Sequence, residues 1–315
     1  MNKQSKIYVA GHQGLVGSAI MRKLQSQGFE NVVTRTHYEL DLRGQQAVDD
    51  FFAQESPDYV FLAAAKVGGI LANDTYRAEF VYDNIMIQSN VIHASYKHSV
   101  KKLLFLGSSC IYPRGCPQPI KEDYLLSSAL EKTNKPYAIA KIAGIEMCDA
   151  YNRQYGTNFI ACMPTNLYGQ NDNFNLETSH VLPALLRKMY EAKRDGKKEV
   201  VVWGTGAPYR EFLHVDDLSQ ALIFLMNTYD GSEIVNIGTG IDCTIAQLAT
   251  TIKEIVGFEG DLVFDTSKPD GTLRKQLDVT RLRCLGWQAS IGLQDGIRST
   301  LEWAIEHGVF NTISG

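Results

Sequence analysis

Residues 6–17 read KIYVAGHQGLVG, an apolar strand followed by a glycine-rich turn and the start of a helix. The turn is Gly11-His12-Gln13-Gly14-Leu15-Val16-Gly17. A strand, a glycine turn and a helix in this order are the context of a dinucleotide-binding fingerprint, here spaced Gly-x-x-Gly-x-x-Gly. Gly11 permits the tight turn, Gly14 lets a pyrophosphate approach the backbone, and Gly17 lets the helix, predicted over 18–27, pack on the strand. The pyrophosphate is expected at the helix N-terminus, where free N–H groups favour an anion.

Apolar runs and helical segments continue to alternate as far as residue 169, with strands predicted at 31–36, 59–65, 102–106 and 158–163. This alternation predicts an α/β fold of the Rossmann type, a doubly wound parallel sheet. The pattern then changes, which indicates a smaller, mostly C-terminal α/β substrate domain. We expect a cofactor-binding domain over 1–168 plus about 212–240, and a substrate-binding domain over 169–211 and 241–315.

Bulk composition excludes several classes of function. The 315 residues are 44% hydrophobic and 21% charged, with a net charge of −4, which gives no reason to expect a nucleic-acid partner. No apolar run reaches the ~20 residues of a membrane helix, and the polar amino terminus is unlike a signal peptide. The six cysteines show no Cys-x-x-Cys spacing, which argues against a metal site or a disulfide framework and favours a reducing cytoplasm.

Several strand ends are expected to contact the cofactor. Arg35 stands where a NAD enzyme usually carries an acidic residue, so a basic side chain there favours the 2′-phosphate of NADP(H). If Arg35 is an ordinary solvated charge, the choice of cofactor stays open. Asp41 and Leu42 are then expected to border the adenine. The small residues Ala63-Ala64-Ala65 would let a cofactor lie against the end of their strand.

The chemistry is expected at Gly107-Ser108-Ser109-Cys110-Ile111-Tyr112-Pro113, because ligands of open α/β sheets bind at the carboxyl ends of strands. Alone, this stretch is equally a simple serine-containing turn. Downstream, Tyr137 and Lys141 are four residues apart on a predicted helix and therefore share a face. A lysine beside a phenol lowers its pKa and makes the tyrosine a usable acid or base, so the catalytic interpretation is favoured over a surface pair.

Together these residues resemble the extended short-chain dehydrogenase/reductase family of nucleotide-sugar enzymes. The resemblance covers nearly the whole chain and rests on the glycine turn, Ser108, Tyr137-x-x-x-Lys141, Pro164-Thr165-Asn166-Leu167-Tyr168-Gly169 and His214-Val215-Asp216-Asp217. Within this family, the chain most resembles the enzymes that epimerise and reduce a GDP-bound 4-keto sugar. This closer resemblance rests on Lys66-Val67-Gly68-Gly69-Ile70, the Ser-Ser-Cys turn and Pro136-Tyr137-Ala138-Ile139-Ala140-Lys141.

The resemblance implies conversion of GDP-4-keto-6-deoxy-D-mannose to GDP-L-fucose by 3,5-epimerisation and then NADPH-dependent 4-keto reduction. It implies Cys110 as the base and His180 as the acid of epimerisation. It implies Tyr137 as the proton donor of reduction, with Ser108 bonding the reacting oxygen and Lys141 holding the nicotinamide ribose. Without the resemblance, Cys110 would read as a small core residue and His180 as a loop residue. If the backbone is extended, Ser108 and Cys110 point to one side and Ser109 to the other.

The resemblance also implies the remaining binding residues. Further cofactor contacts are expected at Leu106, Gly107, Pro164, Thr165, Asn166, Leu167 and His180. The GDP-sugar is expected to contact Ser108, Ser109, Cys110, Asn166, Arg187, Lys188, Trp203, Arg210, Asp270 and Lys275. Cations suit a diphosphate. Arg187 and Lys188 could instead lie on a solvated helix face, and Trp203 in the core.

The chain departs from the family pattern at Gln13 and His37, where close relatives often carry basic residues, so the strength of the NADP preference stays open. Three alternatives remain: a GDP-L-colitose-forming enzyme that epimerises only carbon 5, an NAD-dependent 4-epimerase or dehydratase, and a non-catalytic NADP-binding regulator. A dehydratase would usually carry an acidic pair where Ser109-Cys110 stand. The resemblance implies a homodimer joined by helices near 84–97 and 137–153.

Overall fold

The computed structural model describes residues 1–268 and 270–311. The strands are β1 (Ile7–Ala10), β2 (Val32–Val33), β3 (Tyr59–Leu62), β4 (Lys102–Leu106), β5 (Phe159–Pro164), β6 (Asn166–Tyr168), β7 (Glu199–Trp203), β8 (Tyr209–His214), β9 (Val235–Ile237), β10 (Asp242–Thr244), β11 (Asp261–Asp265) and β12 (Arg274–Lys275). The α-helices are α1 (Leu15–Ser26), α2 (Gln45–Glu55), α3 (Ile70–Thr75), α4 (Arg77–Lys97), α5 (Lys135–Tyr155), α6 (Val181–Arg194), α7 (Val215–Thr228), α8 (Ile245–Val256), α9 (Thr280–Leu285) and α10 (Leu293–Glu306).

A parallel six-stranded sheet in the order β2-β1-β3-β4-β5-β9 forms the centre of the fold. Strands β1, β4, β5 and β9 are fully buried because helices cover both faces, whereas β2 at the edge is half-buried. Side chains from α2, α4 and α5 pack on one face, and side chains from α1 and α7 pack on the other. The predicted doubly wound α/β class is confirmed. The strand order reverses between β1 and β3, so the ligand crevice opens at their carboxyl ends.

The boundaries of three predicted elements were wrong. The strand predicted at 59–65 ends at Leu62, so Ala63-Ala64-Ala65 follow the strand. The second strand covers Val32–Val33 instead of 31–36, because the Thr36 amide and hydroxyl both bond the Glu39 carboxylate and turn the chain out of the sheet. The first helix begins at Leu15, inside the glycine turn, with Gly14 as its N-cap. The turn and the helix N-terminus are therefore one structure.

A second hydrophobic core lies among α6, α8 and α10. Beside it, β8 pairs with β6 and β12 in parallel and with β10 in antiparallel, and β7 pairs with β11 in parallel. Because β6 follows β5 after one residue, this second layer begins directly at the carboxyl edge of the central sheet. In residues 1–268 and 270–311, no helix is long and apolar enough to cross a membrane.

Candidate active site

The glycine turn is closed by backbone contacts that exclude side chains. A Cβ on Gly17 would lie 2.1 Å from the Gly11 carbonyl oxygen, and one on Gly11, whose φ is +85°, would lie 2.8 Å from Ala64 Cα. Gly14 differs, since its Cβ would have the Gly11 oxygen at 3.6 Å as its one close neighbour. The turn thus presents an open face at Gly14 beside the free N–H groups of α1. This shape and polarity fit a dinucleotide pyrophosphate.

Arg35 is not an ordinary solvated charge. Its guanidinium pairs with Glu55 at 2.5 Å, donates to the Thr34 carbonyl and lies 5.2 Å from the centre of the Phe51 ring. It is thereby fixed near the carboxyl edge of β2. Asp41 bonds Arg43, which lowers the pKa of its carboxyl to about 2, while the Leu42 side chain is buried in the core.

The turn after β4 brings the candidate catalytic groups together. Ser109–Ile111 forms a single 3₁₀ turn, so the prediction that alternation along an extended backbone orients Ser108 and Cys110 was wrong. The 3₁₀ turn nonetheless brings these two residues together, because Ser108 Oγ accepts from the Cys110 amide at 3.2 Å. Ser108 also lies beside the Cys110 thiol and the Tyr137 phenol, and it lowers the pKa of both groups. Ser109 is buried beneath the turn.

Tyr137 and Lys141 lie on α5 as predicted, but Lys141 does not lower the pKa of Tyr137. Burial and the neighbouring Cys110 raise the pKa of the Tyr137 phenol well above its usual value, against a smaller opposing effect of the Ser108 hydrogen bond. Lys141 donates to the Leu106 carbonyl at 2.8 Å instead, and burial lowers its own pKa to about 8. That expectation was therefore wrong, and the phenol keeps its proton near neutral pH.

Cys110 is half-buried with Asn134, Lys275 and Ser108 around its sulfur. Burial alone would raise the pKa of the thiol, but Lys275 and the hydrogen bonds outweigh burial, and the pKa lies below its usual value. This agrees with the expected thiolate character of a proton-abstracting cysteine. His180 is the N-cap of α6. Desolvation of its ring lowers the pKa of the imidazole, and the positive charge of Lys275 lowers it further.

A second group of predicted residues lies around Trp203. The Trp203 ring is 55% exposed, which excludes the core alternative, and the ammonium groups of Lys188 and Lys268 stand 5.3 Å and 5.4 Å from its centre. Asp270 accepts from the amide and hydroxyl of Thr205, in the loop after Trp203.

Arg187 and Lys188, which could not be separated from sequence, have different environments. Arg187 is buried, pairs with Glu191 at 2.7 Å and donates to the Phe174 carbonyl. Lys188 lies beside Trp203, where partial burial lowers the pKa of its ammonium. Lys188 is thus the better placed of the two to meet a ligand on the tryptophan.

Further predicted contacts lie at the carboxyl ends of β3 and β5. Ala63 donates its amide to Ala10, next to the glycine turn, and Thr165 and Asn166 both donate to the Glu211 carbonyl. Two residues near the site were missed from the sequence. Asn134 reads as a helix cap but lines the same cleft as Cys110 and lowers the pKa of its thiol, and Lys268 lies in a polar loop without periodicity.

The chain belongs to the NAD dependent epimerase/dehydratase family, whose family model matches residues 7–238. Within it, the chain is similar to a putative GDP-L-fucose synthase 2 of Arabidopsis thaliana, at 62% identity over 98% of this chain and 94% of that protein. It is 55% identical to the GDP-L-fucose synthase of Escherichia coli K12, over 98% of each chain. The GDP-L-colitose synthase of Yersinia pseudotuberculosis is 35% identical over 95% of this chain and 97% of that protein.

A solved structure of the GDP-mannoheptose C4 reductase of Campylobacter jejuni, with NADP bound, matches 97% of this chain and 99% of its own. The two chains are 46% identical and superpose with a TM-score of 0.90.

Proposed function

We propose that this protein converts GDP-4-keto-6-deoxy-D-mannose to GDP-L-fucose with NADPH, by 3,5-epimerisation followed by 4-keto reduction. One observation carries the proposal: Ser108 accepts a hydrogen bond from the Cys110 amide and lowers the pKa of both the Cys110 thiol and the Tyr137 phenol, so the three groups lie together. A sulfur suited to removing protons and a phenol suited to donating one therefore lie at the same turn. The relatives named GDP-L-fucose synthase, at 55% and 62% identity, support the substrate.

Epimerisation uses the acidity that the 4-keto group confers on the hydrogens at carbons 3 and 5. The Cys110 thiolate takes a proton from one face of the sugar, and His180 delivers one to the other face. A positioned acid and base of this kind contribute about 10²–10⁴-fold to a rate. The lowered pKa of Cys110 increases the share of its sulfur in the proton-accepting form.

For the reduction, NADPH supplies a hydride to carbon 4 when bound. The Gly11–Gly17 turn would hold its pyrophosphate, Arg35 its 2′-phosphate and Lys141 its nicotinamide ribose. Tyr137, protonated because burial raises the pKa of its phenol, donates a proton to the oxygen on carbon 4. Ser108 hydrogen-bonds that oxygen and keeps the carbonyl oriented toward Tyr137.

The residues around Trp203 and the cations near its ring bind the GDP part of the substrate. The exposed indole offers a stacking surface for guanine, and Lys188, Lys268 and Arg210 supply positive charge for the diphosphate. We assign the cofactor to residues 1–168 and about 212–240, and the GDP-sugar to 169–211 and 241–315.

Incubation with the substrate and NADPH in D₂O tests the proposal. We expect NADPH oxidation and deuterium at both carbon 3 and carbon 5 of the product, read by NMR. Deuterium at carbon 5 alone would point to the colitose-type reaction, and cofactor binding without any oxidation would refute the reductase. Cys110→Ser should bind NADPH normally and lose most of the deuterium incorporation.

We further propose a homodimer, in the cytoplasm, joined through α4 and α5. These helices expose the large side chains Tyr82, Ile139 and Tyr155 at 59%, 43% and 46%. All six cysteines are unpaired, as suits a reducing compartment. Sedimentation equilibrium should give twice the chain mass, and Ile139→Glu should reduce it to a single chain. A single-chain mass for the unsubstituted protein at micromolar concentration would overturn this assembly.

A further inference from the structure

Lys275 is bonded to the sulfur of Cys110, although its expected partner was the GDP diphosphate. Its ammonium lies 3.3 Å from Cys110 Sγ, across a cleft that Asn134 and Thr272 also line. An ammonium at this distance favours a thiolate strongly, because both groups are partly withdrawn from water.

We propose that Lys275 is the counterion that holds Cys110 as a thiolate for proton abstraction, a role separate from binding the diphosphate. The inference rests on the proposed role of Cys110 as the base. Lys275 is a positioning residue in this sense, because it acts through the sulfur and takes no proton from the sugar itself.

The backbone around Lys275 is fixed by a buried carboxylate. In the backbone register, Lys275 of β12 lies beside Arg210 of the parallel strand β8. Two residues later, the Leu277 amide donates to the Glu211 carboxylate at 2.8 Å. Glu211 is fully buried and also accepts from the Gly240 amide at 2.8 Å. An anchored strand restricts the positions available to the lysine, so less conformational entropy is lost when it bonds the sulfur.

The neighbouring cation serves a different partner. Arg274 pairs with Asp242 at 2.6 Å, whereas Lys275 bonds the thiol. Consecutive strand residues point to opposite faces, which explains how two adjacent cations have separate partners. The pairing of Lys275 with Cys110 therefore follows from strand geometry.

The other groups that face Cys110 support the same assignment. Ser108 and Asn134 lower the pKa of the thiol, Arg210 on β8 adds positive charge, and the Tyr137 phenol on α5 is neutral. Lys275 is the charged donor whose hydrogen bond to the sulfur is seen directly. The same ammonium lowers the pKa of His180, so it acts on both groups assigned to epimerisation.

Alkylation of Cys110 tests the proposal without any substrate. Trypsin releases residues 103–114, LLFLGSSCIYPR, in which Cys110 is the one cysteine, so mass spectrometry can follow its reaction with iodoacetamide across pH. An adjacent opposite charge moves a pKa by about 1–3 units. Lys275→Met should therefore shift the midpoint of alkylation upward by at least about one unit and slow the reaction at pH 7 about tenfold. Lys275→Arg should keep most of the wild-type rate.

Lys188→Met is the matched control, because it removes a cation of the proposed GDP site that does not bond the sulfur. It should leave the alkylation profile of Cys110 unchanged. A wild-type profile in Lys275→Met, with weaker GDP binding by calorimetry, would make Lys275 a diphosphate ligand only and overturn the proposal. Circular dichroism of each variant establishes that it is folded before the rates are compared.

Proton exchange gives a second readout. Because Lys275 lowers the pKa of both Cys110 and His180, its loss should move both limbs of the pH profile for deuterium exchange to higher pH. A uniform loss of rate at unchanged limbs would contradict the counterion role. The alkylation result does not depend on turnover, so failure of the proposed reaction would not be confused with failure of this inference.

Discussion

Alanine at Gly17 should lower the stability of the fold, whereas alanine at Gly14 should weaken cofactor binding and leave stability nearly unchanged. At Gly17, the new Cβ would lie 2.1 Å from the Gly11 oxygen, so α1 must withdraw by about 1.3 Å to restore an ordinary 3.4 Å contact. Overpacking of this kind costs about 1–3 kcal/mol, which a chain with about 5–15 kcal/mol of stability survives. Gly17→Ala should therefore fold with a lower melting temperature.

At Gly14, the same methyl group meets no obstacle within the protein. The φ of Gly14 is −77°, which alanine adopts freely, and the nearest atom would be 3.6 Å away. The melting temperature should change little, by the equivalent of less than about 1 kcal/mol. If the pyrophosphate approaches the backbone at Gly14, the methyl group occupies its place. NADPH affinity should then fall by about tenfold or more, a loss of at least about 1.4 kcal/mol.

Fluorescence titration with NADPH and thermal melting measure the two effects separately. Gly44→Ala is the matched control, because Gly44 is likewise the N-cap of a helix, has a φ of −84° and lies outside the glycine turn. It should reproduce the small stability change of Gly14→Ala and keep wild-type affinity. Wild-type NADPH affinity in Gly14→Ala would refute the placement of the pyrophosphate at this turn.

Three further predictions concern single side chains. Tyr137→Phe should slow NADPH oxidation by about 10²–10⁴-fold, the contribution of a general acid, while deuterium exchange into the substrate continues; equal loss of both would contradict the division of roles. Lys188→Met should raise KM for the GDP-sugar at an unchanged melting temperature, whereas Arg187→Met should lower the melting temperature because it breaks the buried pair with Glu191. The same changes in KM and melting temperature in both variants would refute the different roles assigned to Lys188 and Arg187. Burial raises the pKa of Asp172 from 3.8 to about 7, so the stability that its protonated form provides is full below about pH 4 and is lost as pH rises through 7. Asp172→Asn should remove this loss, which the free energy of unfolding in urea at pH 5 and pH 8 would measure. If this free energy changes with pH in the variant as it does in the wild type, the assignment to Asp172 is wrong.

The features predicted from sequence were those that depend on neighbours in the chain. Within the glycine turn of 11–17, Gly14 and Gly17 have their close contacts inside the turn itself, and a run such as Lys102–Leu106 has few alternatives to a buried strand. The placement of Tyr137 and Lys141 on one face of α5 also follows from their four-residue spacing. Such features are encoded locally, so periodicity and turn chemistry were sufficient to find them.

What the sequence could not predict depends on contacts between distant segments. Lys275 reaches Cys110 from 165 residues away, through a strand held by Glu211. No spacing rule connects these positions. The direction of the pKa of Tyr137 was missed for the same reason, because it depends on burial and on where Lys141 finds an acceptor, the Leu106 carbonyl.

The contacts of Ser108 explain how one turn can serve two reactions in order. Its hydroxyl has a single proton to donate, and it lies beside both Cys110 and Tyr137, whose pKa values it lowers. While the sulfur is a thiolate, it raises the pKa of the phenol and so preserves the proton that reduction later requires. Once Cys110 holds a proton from the sugar, the sulfur no longer requires a donor, and the Ser108 hydroxyl can turn to the oxygen on carbon 4. On the proposed roles, reduction therefore follows proton abstraction by Cys110, because the Ser108 hydroxyl is then free to bond the oxygen on carbon 4.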